Sequence, residues 1–168
     1  MCSRHNPKQR GMTKITLDAT DRKILRFLIT NARTPFLEIA RECGISGAAI
    51  HQRIKKLEES GIIKGSRLVV APKTLGFDVC AFVYIRLSDI THQKDTIEHL
   101  ERIPEIVECH SVTGAYNLLV KLYCTDNEHF MQCIENKIYN IPGIAGTETY
   151  MSLKESFQRE INIADIEA

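Results

Sequence analysis

Ala40-Arg41-Glu42-Cys43-Gly44-Ile45-Ser46-Gly47-Ala48-Ala49-Ile50 is the stretch whose reading decides the fold. Three of its residues stand at informative offsets. Where two short helices cross closely, the first must carry a small residue at the contact, and Ala40 supplies it. The turn that follows needs a residue tolerant of positive φ, and Gly44 supplies that. A branched apolar residue on the second helix then plugs the pair, and Ile50 fits. The pattern A-x-x-x-G-x-x-x-x-x-I is weak alone. Its surroundings strengthen it. Ser46 is a good N-cap for a helix carrying Ile50, Ile54 and Leu57, and Gly61 closes that helix. Upstream, Thr34 caps and Pro35 takes the first position of a short helix with Leu37 and Ala40 inward and Glu38, Arg41 and Glu42 outward. Further upstream, Asp18 and Asp21 open a helix bearing Ile24, Leu25 and Leu28, which Asn31 and Ala32 end.

The outward face of the third helix holds Gly47, Ala48, His51, Gln52, Arg53, Lys55 and Lys56, following the Ser46 cap. Small residues at its start allow close entry into a major groove. Gln52 suits adenine, Arg53 suits guanine or phosphate, and Lys55 and Lys56 suit phosphates. The bland reading is a solvated charged face, and His51 alone adds nothing. Charge tips the balance. The chain carries 22 Lys+Arg against 21 Asp+Glu, a net of +1 that hides an asymmetry. Residues 1–72 have a net charge of +8 and residues 73–168 of −7. A basic half points to an anionic partner of that half alone, and with the three-point packing signature that partner reads as double-stranded DNA.

Beyond Pro72 the periodicity changes. Lys64–Val70 reads as an extended, β-prone link. Val79–Ile85 is a strand apolar on both faces. His92–Ile103 is a helix with Ile97, Leu100 and Ile103, ended by Pro104. Ile106–Val112 is a second strand and Thr113-Gly114-Ala115 a turn. Asn117–Cys124 is a third strand, with Leu118, Val120, Leu122 and Cys124 on one face and Leu119, Lys121 and Tyr123 on the other. Asp126 caps a helix with Phe130, Ile134 and Ile138. Ile141-Pro142-Gly143 turns into a last strand, Ile144–Leu153. The fold class is therefore α+β: an N-terminal helix-turn-helix, winged-helix-like, joined to a ferredoxin-like βαββαβ sandwich. The divisions are a leader 1–14, a DNA-binding domain 15–62, an extended linker strand 63–75, a sensing and oligomerisation domain 76–155 and a tail 156–168. Two helices cover one sheet face. The other carries Cys80/Phe82/Tyr84 or Val79/Ala81/Val83/Ile85, apolar in either case. The simplest cover is a second copy, so a homodimer is expected, which also presents two half-site readers.

These residues resemble the leucine-responsive/asparagine-operon (Lrp/AsnC, feast/famine) regulators, from about Ile15 to Leu153. The resemblance rests on Leu17-Asp18-x-x-Asp21-x-x-Ile24-Leu25, Asn31-Ala32-Arg33, Glu38-Ile39-Ala40, Ser46, Arg53-Ile54, Leu57-Glu58 and Gly61-Ile62-Ile63. In the second half it rests on Pro104-Glu105-Ile106-Val107, Val112-Thr113-Gly114-Ala115-Tyr116-Asn117 and Ile141-Pro142-Gly143-Ile144. It implies a DNA-binding transcription regulator whose second domain senses an amino acid or related small metabolite, with dimers closing into an octameric ring. It also implies that the Val112–Asn117 loop lines the effector pocket, through Thr113, Gly114, Tyr116 and Asn117. Most members have Gly-x-Tyr-Asp there; Asn117 keeps the shape and loses the charge. The bland reading of Tyr116 is an aromatic at a strand start, and of Asn117 a turn residue. Glu148 and Thr149 on the last strand are further polar candidates.

An enzyme is the alternative. Siroheme decarboxylases share the architecture, but need cationic and His side chains for a tetrapyrrole. His92, His99, His110, His129, Arg86, Arg102 and Arg159 form no recognisable pairing. No catalytic triad, phosphate loop or metal cluster is legible, so no cofactor is expected. Six cysteines (Cys2, Cys43, Cys80, Cys109, Cys124, Cys133) lack metal spacing and read as reduced, buried thiols of a cytoplasmic protein. Met1–Lys14 has no apolar h-region, and Met12 offers an alternative start.

Overall fold

The computed structural model describes residues 16–163, so the expectations for the Met1–Lys14 leader lie outside the described residues. The described chain divides into two compact units, one built from residues 16–68 and 159–163, the other from Val69–Gln158.

The first unit holds three helices: α1 (Ala19–Thr30), α2 (Phe36–Cys43) and α3 (Gly47–Glu59). Asp18 caps α1 in a full capping box. Its carboxylate accepts from the Asp21 N–H at 2.7 Å, and the Asp21 carboxylate accepts from the Asp18 N–H at 3.3 Å. The entry to α2 departs from expectation. Pro35 is the N-cap residue, with φ −60° and ψ 133°, and Phe36 is first in the helix. The Thr34 hydroxyl donates instead to the Asn31 carbonyl at 2.8 Å, closing the preceding turn. Leu37, read as inward, is 68% exposed; the inward pair is Ile39 and Ala40. Gly44 adopts φ 66° and donates to the Ala40 and Arg41 carbonyls, ending α2 in the left-handed cap that only glycine adopts without strain. Ile24, Leu25, Ile39, Ala40, Ile50, Ile54 and Leu57 form the core of this unit. The Ala40/Gly44/Ile50 signature thus maps onto a small contact, a left-handed turn and a fully buried plug.

Two features mark the edges of this unit. Among the described residues no strand forms within residues 63–72, where a linker strand was expected. Leu68, Val69 and Val70 are exposed there, with no sheet neighbour to accept their backbone groups. Within the segment read as a tail, Ile163 is buried in the core of the first unit.

The second unit is an antiparallel sheet in the order β2-β3-β1-β4, built from β1 (Val79–Leu87), β2 (Ile106–Ser111), β3 (Leu118–Cys124) and β4 (Ile144–Met151). The helices α4 (Gln93–Leu100) and α5 (Asn127–Cys133) are its crossovers, and the order is the ferredoxin-like one. Asp126 caps α5, accepting from the His129 N–H at 2.7 Å. A π-turn over Ile134–Ile138 extends α5 and brings Ile134 and Ile138 both into the core.

Alternation settles which sheet face is covered. Ala81, Val83 and Ile85 are fully buried with Leu118, Val120, Leu122, Leu100 and Ile138. Cys80, Phe82 and Tyr84 point to the other face and are half-buried. Register puts Tyr123, Lys121 and Leu119 opposite them on β3, and Tyr150 and Glu148 opposite Phe82 and Tyr84 on β4. That open face is therefore aromatic and partly charged rather than uniformly apolar. The cysteines divide too. Cys124 and Cys133 are buried, Cys43 and Cys80 half-buried, and Cys109 is exposed, contrary to the buried reading. Burial pushes the Cys124 thiol up to about 12, with Cys133 adding to it, so it is protonated and unreactive.

Candidate functional sites

The first candidate is the outward face of α3. Ser46 positions it, its hydroxyl accepting from the Ala49 N–H at 3.2 Å. Ala48, His51, Gln52, Lys55 and Lys56 are exposed along it. Gln52 and Lys56 meet no side-chain partner among the described residues, while Lys55 lies 3.7 Å from Glu59 one turn on. His51 stands edge-on to the Phe36 ring, centroids 5.2 Å apart. Gly47 is small for a reason other than groove entry. A Cβ there would lie 3.1 Å from Leu37 Cδ2, so the glycine lets α2 cross α3 closely.

Arg53 is the correction. Sequence reading aimed it at a base or a phosphate. The structure turns it back toward α1, where Nη1 donates to Asp18 Oδ2 at 2.6 Å and to Asp21 Oδ1 at 2.7 Å. Asp21 is buried and Arg53 one-third exposed. The hydrogen bond from the Asp21 N–H, then that from Arg53, holds the Asp18 carboxyl below its ordinary value. The two carboxylates raise Arg53 in turn, Asp18 first.

The second candidate lies on the open face of the sheet. Phe82, Tyr84, Tyr116, Glu148 and Tyr150 line a pocket of about 280 Å³. The Glu148 carboxylate accepts from the Tyr116 hydroxyl through Oε2 and from the Tyr150 hydroxyl through Oε1 at 2.6 Å. These two bonds, Tyr116 the stronger, keep Glu148 below its ordinary value, and both phenols are raised correspondingly. The Tyr84 ring packs 5.4 Å from Tyr116 and 5.7 Å from Tyr150.

Of the expected effector residues, the structure joins Tyr116 to Glu148 and separates the rest. The Asn117 side chain is turned inward, its Oδ1 accepting from the Leu87 N–H at 2.8 Å. Its backbone ties the same loop to Ile85 and Val112. Thr149 pairs with Val83, so it faces the helical side and stands away from Glu148. Thr113 and Gly114 are exposed, Gly114 with φ 114° and open space where a Cβ would stand. Sequence reading missed Tyr84, Tyr150 and Phe82 as pocket walls. Their alternation was legible, but the register that sets them across from one another was not.

Two further polar clusters belong to this unit. Lys121 lies 3.8 Å from Glu108 and 3.7 Å from Glu155, above the faces of Phe82 and Tyr123. Glu105, its side chain 9% exposed, lies beside His129 at 3.0 Å and Lys137 at 2.5 Å. Burial raises its carboxyl, but the Lys137 and His129 hydrogen bonds outweigh that and hold it at about 2. Among the described residues no group of three or more His, Cys, Asp or Glu is placed to hold a metal ion. No helix among them is long and apolar enough to cross a membrane.

Comparison with known proteins bears on both candidates. A family model for winged helix-turn-helix DNA binding matches residues 17–64, and one for the Lrp/AsnC ligand binding domain matches residues 80–161. The regulatory protein AsnC of Haemophilus influenzae is 37% identical over 145 residues, which cover 86% of this chain and 97% of that protein. The structure of Escherichia coli AsnC superposes with a TM-score of 0.82 at 36% identity, covering 88% of this chain and 99% of that one. A feast or famine regulatory protein from M. tuberculosis, complexed with L-methionine, gives a TM-score of 0.82 at 25% identity over 88% of this chain and 99% of its own.

Proposed function

The chain belongs to the Lrp/AsnC family of transcriptional regulators, and on that premise we propose how its two units divide the regulatory task. It carries a DNA-binding helix-turn-helix and a ligand-binding domain. The DNA face in this reading is Ser46, Gly47, Ala48, His51, Gln52, Lys55 and Lys56, with Gln52 contacting a base and the lysines contacting phosphates. The effector is an amino acid. The observation that carries this reading is the Tyr116–Glu148 pair, which joins the loop 112–117 to β4 inside an aromatic-walled pocket. An anionic carboxylate among aromatic faces suits an ammonium group. The open backbone at Gly114 suits the ligand's carboxylate. Asn117 already holds the Leu87 N–H, so Glu148 is the acid left for the ammonium. Two relatives support an amino-acid effector: the M. tuberculosis protein and a Neisseria meningitidis transcriptional regulator, each solved with L-methionine.

The half-buried Phe82 and Tyr84 favour a second copy of the chain across the open sheet face, as a cytoplasmic homodimer that closes to an octamer. The effector pocket opens on that face, so the assembly rather than one chain would enclose the ligand. No catalytic role is assigned: the relatives are regulatory proteins, not decarboxylases. The test is thermal unfolding of the full chain with each of the twenty amino acids, alongside retention on DNA at rising salt. An effector raises the unfolding temperature by mass action. No stabilisation by any amino acid sinks the effector reading. A tetrapyrrole spectrum in the purified protein without DNA retention favours the enzyme.

A further inference from the structure

Arg53 stands on the helix that carries the DNA face, yet its guanidinium is aimed away from that face. It reaches 2.6 Å to Asp18 and 2.7 Å to Asp21, the two halves of the α1 capping box. One cation thus joins the middle of α3 to the first turn of α1. The contact is anchored, because Asp21 is buried and its partner Asp18 is fixed by the Asp21 N–H. An arginine can hold both carboxylates from a single terminal nitrogen, and a buried carboxylate left without it would be an uncompensated charge.

We propose that Arg53 is a positioning residue for DNA recognition: it sets the rotation of α3 against α1, so that Gln52 and Lys56 face the groove, and touches no DNA itself. The inference rests on the reading of α3 as the DNA face. A recognition constellation must be held to within about 0.5 Å and 10–20°, and apolar contacts at Ile50, Ile54 and Leu57 resist separation of the helices better than rotation about the axis of α3. The polar clamp supplies the missing constraint. A basic protein surface gains by losing acids near a polyanion, so an acid that aids DNA binding runs against simple electrostatics. That conflict of signs makes the proposal testable.

The experiment uses the full chain and a duplex that the unaltered protein has enriched from a random pool. Binding is measured from low to high salt for Arg53→Met, Asp21→Asn and the double variant, at a temperature where helical circular dichroism shows each fully folded. Positioning predicts that Arg53→Met weakens binding about tenfold with the salt slope unchanged. Asp21→Asn also weakens it, although it removes a negative charge, and the double variant is no weaker than the worse single one. If Arg53→Met lowers the salt slope by about one unit and Asp21→Asn binds as well or more tightly, Arg53 contacts phosphate and the proposal is wrong. If affinities match the parent's and only the unfolding temperature falls, the clamp is merely stabilising and the proposal is equally wrong. Should either variant fail to fold, Asp18→Ser keeps a competent N-cap while deleting one carboxylate, and Arg53→Lys keeps the charge without the planar fork. Both must then show partial loss of affinity at constant slope. Failure of the unaltered protein to enrich any duplex instead removes the DNA reading on which this rests.

Discussion

The outward face of α3 and the open face of the sheet are both polar surfaces rich in functional side chains, and they differ in where those side chains point. On α3, Gln52 and Lys56 extend into solvent with no partner among the described residues. On the sheet, Tyr116 and Tyr150 both donate to Glu148, and Lys121 pairs separately with Glu108. The difference follows from the scaffold. A helix turns successive residues outward every 100° or so, and its polar stripe has only i, i+4 neighbours to meet. On the sheet, Glu148 meets Tyr150 two residues along the same strand and Tyr116 on the loop before β3, while Lys121 and Glu108 pair across β3 and β2. A face of the first kind offers its groups directly to a rigid, charged partner. A face of the second kind must exchange internal bonds for bonds to a ligand, which favours selectivity over raw affinity.

The contrast breaks most visibly at Phe82. Replacing it by glutamate should weaken or dissociate a sheet-to-sheet dimer, since it deletes the aromatic contact and adds a carboxylate whose nearest cation, Lys121, is already shared by Glu108 and Glu155. Light scattering on parent and variant checks this, and a parent that is monomeric at micromolar concentration refutes the covered face. Glu105 is the next largest. Its folded pKa of about 2 lies below its ordinary 4.5, so the unfolded chain binds more protons between those values. The stabilisation is complete above pH 4.5 and is lost as pH falls toward 2. It amounts to about 2–3 kcal/mol once the partial exposure of Lys137 and His129 is discounted. Urea unfolding against pH should show that slope, and Glu105→Gln should flatten it.

Gln52→Ala sharpens the other side. It should weaken binding to a preferred duplex by about 1–3 kcal/mol and leave the unfolding temperature unchanged, because the side chain supports nothing within the protein. Titrations with matched and altered duplexes check the loss of one base preference. Tyr116→Phe removes the principal donor to Glu148, so that carboxyl should titrate closer to its ordinary value, as followed by carboxyl NMR shifts. Lys56→Ala is the smallest change. All duplexes should lose affinity alike, with the salt slope lower by about one unit.

Much of this was legible in the sequence, because local rules decide it. Asp18, Ser46 and Asp126 cap as read, and Leu118, Val120, Leu122 and Cys124 share a buried face. The spacing of Ala40, Gly44 and Ile50 gave the crossing of α2 and α3. What failed depended on partners distant in sequence. Arg53 lies 35 residues from Asp18, and nothing in the local pattern of α3 separates an arginine turned to solvent from one clamped to another helix. Asn117 reads locally as a turn residue, whereas its side-chain oxygen accepts from the Leu87 N–H, 30 residues away. Leu37 failed for a different reason. A two-turn helix has several phases that bury two apolar residues, and the one adopted buries Ile39 and Ala40 and leaves Leu37 mostly exposed. Glu148 faces the aromatic pocket and Thr149 the opposite side of the sheet on a one-residue shift, the parity of a strand that register alone determines.

The burial of Ile163 orders events in time. Its side chain completes the apolar interior of a unit whose other core residues all precede Ile63 in the chain. On a ribosome adding about 5–20 residues per second, roughly 5–20 s separate the synthesis of Ile63 from that of Ile163. The DNA-binding unit therefore emerges early but is sealed last, after the whole ligand-binding unit has been made. A nascent chain carries its three helices with an open seam, and a chain truncated before Ile163 keeps that seam permanently.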